Sequence, residues 1–169
     1  MNRGCFFSFE GIDGCGKSTQ IEYLSESLLN SGKEIIKIRE PGSTDISEEI
    51  RSILLNPNNE MINDACEALL MAASRVQLVK EIIVPEIISG KIILCDRYVD
   101  STTVYQGALG GVDQSCLKTL TEYATRGLMP DLTFVLHAKA ETVFNRIQKR
   151  HAETGEEVSR YDAKGLEFQ

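Results

Sequence analysis

Three features that the sequence lacks narrow the range of possible functions. Positive charge is not in excess, because 18 lysines and arginines stand against 25 aspartates and glutamates, a net charge of −7. A broad nucleic-acid-binding surface needs a basic face, so we expect no nucleic-acid partner. No apolar run approaches the roughly 20 residues that span a bilayer. The N-terminal segment reaches Glu10 and Gly11 too early for the apolar region of a signal peptide. We therefore expect neither a membrane anchor nor secretion.

The cysteines lack the spacing of a metal site or a disulfide framework. Their number is odd and no two form a CxxC pair; they are Cys5, Cys15, Cys66, Cys95 and Cys116. This pattern favours reduced thiols in a cytoplasmic protein.

Short apolar runs alternate with segments of helical periodicity along the 169 residues. The runs predict buried strands at residues 5–9, 34–39, 92–95 and 132–136. Strands that alternate with helices favour an α/β fold with a parallel sheet flanked by helices. The length suits a single domain, residues 1–169.

Helices are predicted between these strands. The first begins at Ser18 and stops at Gly32, and later ones cover residues 113–126 and 140–151. Asp64 is expected to cap a long helix, with Glu67 three residues on. Two sets of apolar residues are expected to face the core: Ile46, Ile50, Ile53 and Leu54 before Asn56, then Leu69, Ala73, Val76, Ile83 and Ile87 along the long helix.

A phosphate-binding loop follows the first predicted strand. Residues 11–18, GIDGCGKS, fit the pattern G-x-x-x-x-G-K-[ST], and a helix follows at once. Its glycines permit close approach of the backbone to phosphate, and successive N–H groups and the helix N-terminus face the phosphate oxygens. Lys17 is expected to reach the β- and γ-phosphates, and Ser18 to bind Mg²⁺. The predicted ATP-binding residues are Gly11, Ile12, Asp13, Gly14, Cys15, Gly16, Lys17, Ser18 and Thr19.

Two polar residues, Asp96 and Arg97, follow the third predicted strand. Asp96 would stand at the carboxyl end of that strand, where ligands of parallel sheets bind, and could hold Mg²⁺ through water. Arg97 beside it could bridge transferring phosphates with its planar guanidinium. Such a pair alone is usually a solvated loop ion pair, but the phosphate loop favours a functional role.

Six short motifs in order resemble thymidylate kinase of the bacterial type. They are FEGIDG at 9–14, REPG at 39–42, ASR at 73–75, DRY at 96–98, YQG at 105–107 and PDL at 130–132. The resemblance covers essentially the whole chain. It implies a three-layer P-loop kinase fold, the reaction of ATP with dTMP to give ADP and dTDP, and a homodimer built on helices like the long one.

The resemblance also implies roles for individual residues. Asp13 would lie near the 3′-hydroxyl of dTMP, Tyr105 would help to exclude a 2′-hydroxyl, and Gln106 would read the base. Glu40 would lie near the metal and the phosphates, with Ser18 and Asp96 as further metal-site residues. The remaining acceptor-site residues would be Arg51, Arg75, Arg97, Ser101 and Thr102.

Several positions depart from the family pattern. Met71 stands where the family usually has a phenylalanine stacked on thymine, so looser base binding is expected. Gly14 follows Asp13 in place of an arginine, which in this family goes with catalytic arginines in a lid. We expect that lid at residues 149–160, with Arg150 and Arg160 stabilising the transferred phosphoryl group alongside Lys17, Asp13 and Arg97.

Three alternatives remain at this stage. Another nucleotide or nucleoside kinase could use the same scaffold, and a nucleotide-dependent regulatory binder could use the same loop. The chain also stops about thirty residues after the last predicted strand, with Leu166 and Phe168 resembling the start of a further helix. A C-terminal part is therefore expected to be missing, which would leave an inactive fragment as the third alternative.

Overall fold

The computed structural model describes residues 3–154 and 160–161. Four parallel strands form one sheet in the order β2-β3-β1-β4. Their bounds are β1 Cys5–Glu10, β2 Ile35–Arg39, β3 Ile92–Asp96 and β4 Leu132–Val135. Because all four run the same way, their carboxyl ends meet at one edge of the sheet.

Helices connect the strands. In chain order they are α1 Lys17–Asn30, α2 Asp45–Leu55, α3 Asp64–Leu78, α4 Val84–Ile88, α5 Val99–Thr102, α6 Gln114–Thr125 and α7 Ala140–Thr154. Two π-helical segments, Val79–Ile83 and Thr103–Leu109, continue α3 and α5 without a break. Of the helices in the described ranges, none has both the length and the apolar composition needed to cross a membrane.

The two faces of the sheet bury separate cores. Alternation along β1 sends Phe6 to one side, against Ile83 and Tyr98, and Phe9 to the other, against Ile21 of α1. The predicted α/β architecture with a helix-covered parallel sheet is confirmed.

Two predictions about the helices were wrong. Asn63, and not Asp64, caps α3, since its side chain accepts a hydrogen bond from the N–H of Ala65. Two apolar residues that were expected to face inward from α2, Ile46 and Ile53, are exposed, whereas Leu54 is fully buried.

The apolar stripe predicted along α3 is also only partly correct. Leu69 is 57% exposed and Ala73 is exposed, although Ile83 and Ile87 further along are buried. The buried face of α3 carries Glu67, Ala68, Met71, Ser74, Arg75 and Leu78. Three of these six residues are polar, so apolar periodicity alone assigned the wrong buried face to the helix.

Candidate active site

The loop after β1 wraps around a lysine at the carboxyl edge of the sheet. Gly14 has φ +77°, and a Cβ there would lie 3.2 Å from the carbonyl oxygen of Val143 in α7. Both the angle and the contact favour glycine. The Lys17 ammonium donates to the carbonyls of Gly11 at 3.0 Å and Ile12 at 3.2 Å, and is 6% exposed. The loop thus holds a positive charge at the N-terminus of α1.

A cavity of about 530 Å³ opens beside this loop. Its walls combine the loop and the start of α1 with one residue of β3 and one face of α7; they include Lys17, Ser18, Thr19, Asp96, Arg146 and Arg150. Arg146 donates to the carbonyl of Gly14 at 3.1 Å. Arg146 was not among the residues predicted for the site, although its spacing of four residues from Arg150 places both on one face of a helix.

Ser18 and Asp96 meet within this cavity. The Ser18 hydroxyl donates to Asp96 Oδ2 at 3.0 Å, and the Lys17 ammonium lies 4.0 Å from Asp96 Oδ1. These are hard oxygen donors next to a phosphate cradle, and phosphoryl-transfer enzymes typically hold Mg²⁺ through one or two such oxygens together with phosphate and water. The pair therefore fits a Mg²⁺ ion. Within residues 3–154 and 160–161, no three Cys, His, Asp or Glu side chains converge as a dedicated metal cage.

A second, narrower cavity of about 110 Å³ lies between α2, α3 and the segment after β3. Its lining joins charged, aromatic and amide side chains from distant parts of the chain: Asp13, Glu40, Pro41, Arg51, Leu55, Met71, Arg97, Ser101, Tyr105, Gln106 and Tyr161. Asp13 lines both cavities. The two spaces therefore meet at the phosphate loop.

Asp13, which lines both cavities, is paired with Arg97, which lines the second. Arg97 donates to Asp13 at 2.7 Å and to the Ser101 hydroxyl at 2.9 Å, and its guanidinium lies 5.3 Å from the centre of the Tyr105 ring. Burial by itself would raise the pKa of Asp13, but Arg97 and Lys17 lower it overall. The carboxylate is thus ionised, and Arg97 is held in place with φ +70°, an angle uncommon for a residue with a side chain.

Glu40 and Arg75 form a buried ion pair under the second cavity, with side chains 2% and 1% exposed. Arg75 donates three hydrogen bonds to the Glu40 carboxylate at 2.6–3.2 Å and one to the Thr102 hydroxyl at 2.9 Å. Burial by itself would lower the pKa of Arg75, but Glu40 raises it overall. Glu40 was predicted to approach the metal; it lines the second cavity and not the one that contains Ser18 and Asp96.

Arg51 lines the second cavity and donates to the Pro41 carbonyl at 2.9 Å. Met71 faces the same space from α3. The structure therefore brings together Asp13, Glu40, Arg51, Met71, Arg97, Ser101, Tyr105 and Gln106 around one cavity. Arg75 and Thr102 do not line this cavity, although Arg75 bonds to Glu40, which does.

The two arginines predicted for the lid are in different places. Arg150 lines the cavity of the phosphate loop. Arg160 is buried against α2 and α3, where it pairs with Glu67 and donates from Nε to the Leu54 carbonyl at 3.0 Å. Residues 149–154 of the predicted lid continue α7, whereas residues 155–159 lie outside the described residues, as do Leu166 and Phe168.

Two buried carboxylates were missed. Glu10 accepts from the Ser101 hydroxyl at 2.6 Å and from the N–H of Tyr98 at 2.8 Å, so it fixes the segment after β3. Glu67 was interpreted as a helix-capping residue, yet it is buried and accepts from Gln106 at 2.6 Å. An acidic residue at the end of a strand that precedes a phosphate loop was the available signal for Glu10.

Comparison with known proteins agrees with this geometry. The thymidylate kinase family model matches residues 9–164. The chain is 48% identical over 157 residues to the thymidylate kinase of Thermoanaerobacter sp. (strain X514), covering 93% of this chain and 77% of that protein. It is 42% identical over 166 residues to the thymidylate kinase of Caldanaerobacter subterraneus subsp. tengcongensis, covering 98% and 76%.

A solved structure shares the fold. The thymidylate kinase of Ehrlichia chaffeensis superimposes with a TM-score of 0.74 at 32% identity, covering 90% of this chain and 81% of that one. The family model spans most of the chain, and the curated relatives are similar along nearly all of it. The chain belongs to the thymidylate kinase family.

Proposed function

We propose that this protein transfers the γ-phosphoryl group of ATP to dTMP, giving ADP and dTDP, with ATP at the phosphate loop and dTMP in the narrower cavity. The observation that carries this assignment of sites is the meeting of the two cavities at Asp13. A kinase must hold its two phosphates in line and close together, and two separate spaces that share one wall meet that need.

On the ATP side, the residues of the loop bind and orient the triphosphate. Lys17 is buried in the loop with its ammonium bonded to backbone carbonyls, so its charge is in place before ATP binds. Arg150, which lines the same cavity, is proposed to stabilise charge on the transferred group. Arg146 is proposed to hold α7 against the loop through the Gly14 carbonyl.

Ser18 and Asp96 are proposed to hold Mg²⁺. A Mg²⁺ ion held by these two residues would supply positive charge that offsets the negative charge of the ATP phosphates. Asp96 orients the Ser18 hydroxyl through the hydrogen bond at 3.0 Å.

On the dTMP side, Arg97 and Arg51 supply guanidinium groups for a dianionic phosphate. Asp13 positions Arg97 and offers an acceptor for the 3′-hydroxyl of the sugar. Tyr105 narrows the cavity near the sugar, and Met71 covers the face of the base. Catalysis then comes from position and charge, and no covalent intermediate is implied.

The assembly and the cellular location are further proposals. Helix α3, which exposes Leu69 and Ala73, packs against α6, where Tyr123 is 79% exposed. We propose that two copies of the chain pair over this apolar face. All five cysteines are free thiols, which agrees with a cytoplasmic, reducing environment.

Identification of the product tests the function. The protein is incubated with ATP, Mg²⁺ and dTMP, and the nucleotides are separated by ion-exchange chromatography. We expect dTDP and ADP in equal amounts, and about a hundredfold less of both, or lower still, with Lys17→Met in the same time. ADP without dTDP would mean that water, and not dTMP, is the acceptor, and would overturn the proposal.

A further inference from the structure

A buried carboxylate lies behind the cavity proposed for the base. Glu67 is on the inner face of α3, with its side chain 4% exposed. None of the roles proposed above uses it. A buried carboxylate is unfavourable unless it is paired and hydrogen-bonded, so its partners show what holds it there.

Three side chains donate to Glu67. Gln106 Nε2 donates to Oε1 at 2.6 Å, and the Tyr161 hydroxyl donates to the same oxygen at 2.7 Å. Arg160 pairs with Oε2 and is itself anchored to α2 by its backbone N–H, which donates to the Leu55 carbonyl at 3.1 Å. Burial by itself would raise the pKa of Glu67, but these three hydrogen bonds lower it overall. Glu67 is therefore an ionised group that only accepts hydrogen bonds.

This charge determines the orientation of one amide. The side chain of Gln106 has an NH₂ end that donates and an oxygen that accepts, and the NH₂ end must face an ionised carboxylate. The oxygen, Oε1, then points away from Glu67. It is buried, and no residue in the described ranges donates to it. Leaving a buried acceptor unpaired is costly, which indicates a donor that comes from a ligand.

Gln106 lines the same cavity as Met71 and Tyr105, which are proposed to contact the base and the sugar. Thymine presents an N3–H donor in the plane of its ring, whereas cytosine presents a bare N3 acceptor at the same position. An amide with its oxygen toward the base accepts from thymine and repels cytosine. A free amide could rotate by 180° and serve either base.

We propose that Glu67 is a positioning residue for base selection: it fixes the Gln106 amide with Oε1 toward the base, and so favours thymine over cytosine. This inference rests on the proposed function, because it requires dTMP in the narrower cavity. Uracil has the same N3–H as thymine. The fixed Gln106 amide therefore discriminates between dTMP and dCMP, but not between dTMP and dUMP.

The test compares Glu67→Gln with the unchanged protein. A neutral amide at position 67 can donate or accept, so the Gln106 amide is free to rotate. Dissociation constants for dTMP, dUMP and dCMP are measured by calorimetry, and kcat and KM with dTMP by ADP release. We expect the ratio of dTMP to dCMP affinity to fall about tenfold, the value of one buried hydrogen bond. The dTMP to dUMP ratio should stay the same, a pattern that general loss of structure would not produce.

Glu81→Gln is the matched control. Glu81 also accepts from a glutamine, Gln77, at 2.6 Å, but this hydrogen bond is exposed to solvent. The same chemical change there should leave both affinity ratios unchanged. A double-mutant cycle adds Gln106→Met: if Glu67 acts through Gln106, Glu67→Gln should have no further effect on selectivity in that background.

The possible outcomes distinguish failure of this inference from failure of the proposed function. If the unchanged protein phosphorylates dTMP but Glu67→Gln folds and keeps its preference over dCMP, the inference is overturned and the function stands. If the unchanged protein neither binds nor phosphorylates dTMP, both are overturned. Should Glu67→Gln not fold, the unchanged protein is tested with N3-methyl-dTMP, which lacks the N3–H. Binding at least tenfold weaker than dTMP supports the proposal, and equal binding overturns it.

Discussion

Replacement of Arg75 by methionine should destabilise the protein strongly, because it leaves Glu40 buried without its partner. Arg75 donates three hydrogen bonds to Glu40, one to the Thr102 hydroxyl and one to the Tyr98 carbonyl at 3.3 Å. Both side chains of the ion pair are almost fully excluded from solvent. Methionine preserves most of the volume but supplies none of these donors.

The size of the effect follows from this geometry. Removal of one partner of a buried ion pair typically costs about 3–5 kcal/mol, since the remaining charge has no compensation. A domain of this size is stable by about 5–15 kcal/mol, so the variant should lose a large part of its stability. Replacement of both residues, as in Arg75→Met with Glu40→Met, removes the buried charge altogether. The double variant should be less destabilised than the sum of the two single variants by about 2 kcal/mol or more.

The pH dependence has a definite sign. Burial raises the pKa of Glu40 overall, although Arg75 offsets part of this increase. Without Arg75, the pKa of Glu40 in the folded state should lie well above its value of about 4.3 in the unfolded chain. The neutral form is then favoured in the fold. In Arg75→Met, the contribution of Glu40 to stability is therefore fully present at low pH and is lost as the pH rises through its folded-state pKa.

Urea unfolding followed by circular dichroism at pH 5, 6, 7 and 8 measures both effects. The stability difference between Arg75→Met and the unchanged protein should increase with pH, and Arg75→Met with Glu40→Met should remove that increase. Additive single effects together with a flat pH profile would refute the reasoning, because they would show that the two side chains do not act as a buried pair.

Three further changes test the proposed roles of individual residues by steady-state kinetics. Lys17→Met should lower kcat about a hundredfold or more, because a preorganised charge is lost, and an unchanged kcat would exclude Lys17 from the transfer step. Arg97→Lys should lower kcat/KM for dTMP about tenfold, because an ammonium cannot bond both Asp13 and a phosphate as the planar guanidinium does. If kcat/KM fell for ATP and not for dTMP, Arg97 would belong to the ATP site and the proposed role would be wrong. Met71→Phe should lower KM for dTMP about two- to tenfold through stacking on the base, and a raised KM would mean that the cavity has no room for a ring.

The parts of the site that were predictable from the sequence are those defined by local chemistry. The phosphate loop is a contiguous pattern whose glycines and lysine have fixed geometric roles. Asp96 ends an apolar strand, and strand ends of a parallel sheet converge, so its position beside Ser18 follows from the architecture. The acceptor residues came from the family resemblance, and the structure gathers most of them around one cavity.

The parts that were not predictable depend on long-range burial. Glu67 fits a capping pattern three residues after Asp64, but its partners Gln106 and Arg160 are 39 and 93 residues away. Apolar periodicity placed Leu69 in the core, although half of the residues on the buried face of α3 are polar. No local signal in the sequence distinguishes a polar residue that lines a site from one on a solvated face.

The most direct test of the assignment is an ADP-release assay with a panel of phosphate acceptors. The purified protein is given ATP and Mg²⁺ with dTMP, dUMP, UMP, CMP, GMP, AMP or thymidine, each in a separate reaction. ADP release that is fastest with dTMP, slower with dUMP and absent with the others is the expected result. Faster release with another acceptor would contradict the assignment of the narrower cavity to dTMP.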